Sequence, residues 1–116
     1  MTDVPSTLGQ QIAERAVIFT RGDNTTETVF VRVWKPVPGD TADEWKCPYE
    51  IAGFGRSKAV AMSGVDSMQA LLLSLQTILA ELDQIAKREN AKFHWLGIEG
   101  AGFPDYRLSP SYDGQK

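Results

Sequence analysis

The sequence predicts an α+β fold: two antiparallel β-hairpins forming a four-stranded sheet, with one long helix packed on one face. Three observations carry this reading. Met68, Leu71, Leu72, Leu75, Ile78, Leu79, Leu82 and Ile85 recur at spacings of three and four, which marks one apolar face of a helix. Val29, Val31 and Val33 alternate with Phe30, Arg32 and Trp34, the period of a strand. Further strand-like runs flank that one, and a helix with one greasy side needs a sheet to cover it.

Along the chain, residues 1–10 are polar and without period, and are expected to be a flexible lead-in. Residues 12–20 read as a strand, 22–26 as a turn, and 27–35 as the clearest strand. Pairing them around that turn puts Phe19 near Val29 and Val17 near Val31, with the aliphatic residues on one face. The other face then carries Ile18, Phe30 and Trp34 among Glu14 and Arg32, too apolar for plain solvent. Pro36 opens a rigid polar loop that runs to about Glu44. Residues 45–53 form the third strand, in which Pro48 cannot donate to a ladder and calls for an edge or a bulge. A four-residue loop, 54–57, leads into a strand at 58–63, with Val60 beside Ile51 and Met62 beside Tyr49.

The helix follows from about 66 to 89, about 36 Å at 1.5 Å per residue. Asp66 or Ser67 caps its start, with Gln69 three after Asp66 as in a capping box, and Asn90 caps its end. Residues 93–96 make a short final strand or extended segment, and 97–106 a glycine-rich loop. Residues 11–108 therefore form a single domain between flexible ends, 1–10 and 109–116.

Charge and composition narrow the function. Twelve Lys and Arg against fifteen Asp and Glu give a net charge of −3, and no basic stripe exists, so nucleic acid is not an expected partner. No run is long enough to span a bilayer and no signal peptide is visible, so a cytoplasmic protein is expected. The lone Cys47 excludes an internal disulfide and a multi-cysteine zinc site. Its phase with Tyr49 and Ile51 points it into the core, away from nucleophilic work. No metal site and no cofactor is expected.

Each remaining motif has a plain reading beside a functional one. Gly53-Phe54-Gly55-Arg56-Ser57-Lys58 leads from strand to strand, so it reads as a hairpin loop and not a dinucleotide fingerprint, with an anion on Arg56 and Lys58 as the minor alternative. His94 is the only histidine, and no spacing pairs it with Asp66 or Glu99. Asp40, Asp43 and Glu44 lack the calcium-loop pattern and read as a solvated loop. The aromatic set of Phe30, Trp34, Trp45, Phe93, Trp95, Phe103 and Tyr106 is large for this length. Either Trp95 and Phe103 fold back over the second sheet face, or Phe30 and Trp34 are an exposed interface.

The run Trp45-x-Cys47-x-Tyr49-x-Ile51-x-Gly53, then Gly64-Val65-Asp66-Ser67-x-Gln69-Ala70-Leu71, then Trp95-x-Gly97 and Gly102-Phe103-Pro104, resembles a family of small bacterial proteins classed as a domain of unknown function. The likeness spans about 12–106 and implies a bacterial, cytoplasmic protein, with no catalytic residues to transfer.

The leading expectation is a non-enzymatic protein-binding module, immunity- or antitoxin-like, that binds another protein or itself as a homodimer. Its contact residues would be Phe30, Trp34, Asp40, Asp43 and Glu44, with acidity steering encounter. The alternative is a small-ligand-binding or enzymatic domain. Its site would lie near the helix N-terminus and the 97–106 loop, and would use Asp66, His94 and Glu99.

Overall fold

Alternating buried and solvent-facing residues make β1 (Gln11–Arg21) and β2 (Thr26–Trp34) the first hairpin of the computed structural model, which describes residues 9–103. The predicted flexible ends, and Pro104, Asp105 and Tyr106 of the glycine-rich loop, lie outside the described residues. The hairpin pairs Val17 with Val29 and Arg15 with Val31, a register two residues away from the predicted one. The Arg21 N–H donates to the Thr25 carbonyl at 2.9 Å, so the turn closes two residues tighter than 22–26. Inside it, Asn24 takes φ 70° and Asp23 accepts from the Thr25 hydroxyl at 2.6 Å and the Thr25 N–H at 3.0 Å. Those two bonds, the hydroxyl's first, hold the Asp23 carboxyl below its ordinary range.

The second hairpin, β4 (Trp45–Gly53) and β5 (Arg56–Gly64), is displaced by the same two residues: Tyr49 faces Val60 and Cys47 faces Met62. Its turn is only Phe54-Gly55, both at positive φ (53° and 71°), the type I′ geometry that matches strand twist. A bulky residue in that conformation costs about 1–2 kcal/mol, and three contacts offset the cost. The Phe54 N–H donates to Glu27 at 2.9 Å, its ring meets Phe19 edge-on at 5.4 Å, and the Arg21 guanidinium lies 4.7 Å over it. An even slip keeps every side chain on its predicted face.

β3 (Val37–Pro38) continues β2 along β4 after a one-residue slip: Val33 pairs with Tyr49, but Val37 pairs with Lys46. The slip lies opposite Cys47 and Pro48, so the proline's missing donor falls at a bulge. Pro48 is not on an edge, because β4 runs between β2 and β5. There the Cys47 thiol donates to the Trp34 carbonyl at 3.4 Å.

Helix α1 (Ser67–Glu89) starts and stops as its caps dictate. Asp66 accepts the Gln69 N–H at 2.7 Å, Gln69 accepts the Val65 N–H at 2.7 Å, and Asn90 closes the helix in the left-handed region. The buried line is Ala70, Ser74, Ile78, Leu79 and Leu82, whereas Met68 and Leu72 are exposed, contrary to the predicted face. Close approach explains the difference. A Cβ on Gly64 would come within 2.5 Å of the Ala70 nitrogen, so the first two turns press small residues onto the sheet. Ser74 uses that proximity to donate to the Cys47 carbonyl at 2.8 Å. Beneath the helix lie Val17, Phe19, Val29, Val31, Val33, Tyr49, Ile51 and Val60, the predicted core, with Met62 packed at its margin.

Among the described residues the sheet has seven strands rather than four. The helix carries the chain back to the opposite edge, where β6 (Ala91–Trp95) pairs antiparallel with β1, Phe93 beside Phe19, and then turns into β7 (Ile98–Glu99). The following loop lies on the helix side, not over the second face. Arg15 places its guanidinium 3.7 Å over Trp95 and 5.3 Å from the Phe103 ring centre, and donates to the Ala101 carbonyl at 3.0 Å. Among the described residues no helix is long and apolar enough to cross a membrane.

Candidate functional site

On the sheet face away from the helix, cross-strand neighbours form a polar ladder. Arg32 pairs in register with Glu14 on one side and Glu50 on the other, at 2.6 and 2.9 Å. The Ser57 hydroxyl reaches Glu50 at 2.6 Å; that bond first, and Arg32 after it, hold the Glu50 carboxyl low. Phe30 sits between Ala16 and Ala52 in register, with Arg32 5.2 Å from its ring centre. Phe30 and Ile18 are 37% and 39% exposed, so this face is partly apolar and open. Trp34, expected beside them as an exposed contact, is only 9% exposed at the β2–β3 slip.

The acidic loop is built rather than loose. Glu44 accepts the Asp40 N–H at 2.9 Å and the Ser63 hydroxyl at 3.3 Å, and the backbone bond holds its carboxyl below the ordinary range. Asp40 lies 3.8 Å from Lys46 and is almost fully exposed, and the predicted contact Asp43 on the same loop is exposed as well.

The predicted ligand triad does not assemble. His94 and Glu99 face each other across the β6–β7 pair. Asp66 instead sits where β5 enters the helix, and its carboxylate is used as the cap. β5 and β6 lie on opposite sides of the sheet, four strand spacings or about 19 Å apart. His94 opens instead into a cleft of about 390 Å³ with Arg21, Lys87 and Lys92 at the helix C-terminus. No group of three His, Cys, Asp or Glu side chains that could hold a metal occurs among the described residues.

A different constellation forms where the tip of the β4–β5 hairpin faces the last turns of α1. A cleft of about 350 Å³ lies there, with Val29, Ile51, Phe54 and Ile85 as apolar lining and Arg56, Lys58, Glu81, Gln84 and Arg88 as polar lining. Two of its lining residues, Lys58 and Glu81, belong to a three-member relay: the buried Tyr49 hydroxyl donates to Glu81, whose other oxygen accepts Lys58 Nζ at 2.7 Å. Burial first, and the Glu81 carboxylate after it, push the Tyr49 phenol far above its ordinary value, so it remains a neutral donor. Both Glu81 oxygens are thereby engaged. Arg56 has no ion-pair partner among the described residues, and Arg88 has only its chain neighbour Glu89 at 3.6 Å.

Sequence reasoning named Arg56 and Lys58 as an anion contact but missed Tyr49, Glu81 and Arg88. The available signal was phase. Glu81 stands one turn after Ile78 and one before Ile85, beside the apolar line, where a carboxylate needs a partner from the sheet.

A family model described as a domain of unknown function (DUF6968) matches residues 13–105. The chain belongs to that family. No curated protein and no solved structure gives a significant match.

Proposed function

We propose that this chain is a non-enzymatic binding domain whose site is the cleft between the β4–β5 hairpin and the C-terminal half of α1. The observation that carries the reading is the coincidence of an apolar lining, convergent polar side chains and a volume of about 350 Å³. Ligand pockets are usually apolar hollows of roughly 300–1,000 Å³ with a few placed polar groups. Rigid elements supply this one, and the Tyr49–Glu81–Lys58 relay fixes the wall. A fragment screen by NMR on the full chain tests it. Hits should shift the amides of Gly53, Phe54 and Gln84, and Ala80→Trp, which fills the cleft, should abolish them without unfolding the protein. Hits that map elsewhere, or that survive Ala80→Trp, would refute the reading.

A protein-binding role, immunity- or antitoxin-like, is the second reading, supported by the half-exposed Phe30 and Ile18 on the open face. It now rests on Phe30, Ile18, Asp40 and Asp43, because Trp34 is covered and Glu44 is engaged within its loop. Sedimentation analysis of wild type and Phe30→Glu tests its homodimer form: a dimer lost in the variant would support it, and a monomer throughout would count against self-association. Both readings take the protein to be bacterial and cytoplasmic, in keeping with a lone, buried, reduced Cys47.

A further inference from the structure

We infer that the cleft between the β4–β5 hairpin and α1 selects small organic anions: an apolar body against its inner lining and a carboxylate or phosphate head at Arg56 and Arg88. The inference rests on the cleft being a binding site and names the ligand class. The chain carries a net charge of −3, yet this cleft gathers three cations against one carboxylate. That carboxylate, Glu81, is committed on both oxygens to Tyr49 and Lys58. It neutralises Lys58 and offers nothing to an incoming cation. What remains for a ligand is two guanidiniums, Arg56 on the hairpin and Arg88 on the helix, the second held only by a 3.6 Å contact to its neighbour Glu89, and their planar forks match carboxylate and phosphate oxygens. Val29, Ile51, Phe54 and Ile85 lie inward of them and have no hydrogen-bonding side chains, so a bare ion would leave that lining unused.

The test is an NMR titration of the full chain at low salt with four probes: phenyl phosphate, phenol, inorganic phosphate and benzylammonium. Phenyl phosphate should shift the Gly53, Phe54 and Gln84 amides saturably and bind more tightly than each of the others. The double variant Arg56→Ser/Arg88→Ser should weaken it about tenfold, the scale of two exposed charge pairs. In the same variant phenol should shift those amides as in wild type, which shows that the cleft is intact. Phenol or benzylammonium binding as tightly as phenyl phosphate would leave the cleft standing and overturn its anion selectivity. So would phenyl phosphate binding unchanged in the double variant. If none of the four moves the cleft amides, the binding site itself falls, and the selectivity with it.

Discussion

Replacing Tyr49 by phenylalanine deletes one hydroxyl from a buried residue that braces the cleft-lining Glu81. The ring is 1% exposed and its hydroxyl donates to the Glu81 carboxylate. A hydrogen bond to a charged group contributes about 1.5–3 kcal/mol, so Tyr49→Phe should destabilise the protein by about 2 kcal/mol at pH 8. The alkaline behaviour separates this bond from generic packing. The folded phenol's pKa is raised above its unfolded value, by burial first and by Glu81 second. Stability from the bound proton is therefore complete below about pH 10, where the unfolded tyrosine titrates, and declines above it. The decline is about 1.4 kcal/mol per pH unit. The wild type loses this increment and Tyr49→Phe does not, so the two denaturation free energies should converge and cross near pH 11.5, about 2/1.4 units above 10. Urea denaturation of both proteins at half-unit steps from pH 8 to 11 measures the convergence directly. A gap that stays constant over that range would refute the claim that the phenol is held neutral in the fold.

Other outcomes follow from equally local features. Arg15→Ala removes the guanidinium stacked on Trp95 and bonded to Ala101, and should cost about 2 kcal/mol. The Gly100 amide, which donates to the Phe93 carbonyl at 2.8 Å, should then exchange with solvent faster, and unchanged protection would show that Arg15 does not hold the loop. Gly64→Ala would force a Cβ to 2.5 Å from the Ala70 nitrogen, a backbone contact that must shift, and chemical denaturation should show a loss of about 1–3 kcal/mol. Cys47 is fully buried, and burial raises its thiol's pKa. Iodoacetamide should therefore label it only through unfolding, at a rate that rises with urea; rapid labelling of the native protein would contradict its burial.

Much of this fold was legible because periodicity and caps are local. Val29, Val31 and Val33 declare a strand face, and Asp66 with Gln69 and Asn90 declare both helix ends. Register was not legible, because alternation is satisfied equally by any even slip and only the turn decides it. Phe54 hid the second turn, since nothing in a phenylalanine announces a left-handed residue. It is held there by Glu27, Phe19 and Arg21, which a local window cannot see. Met68 and Leu72 fit the apolar spacing as well as Ala70 and Ser74 fit the contact, and only the approach at Gly64 separates them. The cleft had half a signature in Arg56 and Lys58. Its other half, Tyr49 and Glu81, is joined by a hydrogen bond across 32 positions, where charge and spacing carry no information.

The pairing of β1 with β6 has a consequence for how the chain is made. Residue 18 must wait for residue 94, so during synthesis the two hairpins can form while β1 still presents a bare row of amides and carbonyls. Phe19 lacks its Phe93 neighbour over the same interval. A nascent or truncated chain ending before Ala91 is thus a strand-recruiting species, prone to pair with another copy of itself. Release of the last few strand residues from the ribosome both completes the sheet and withdraws that hazard.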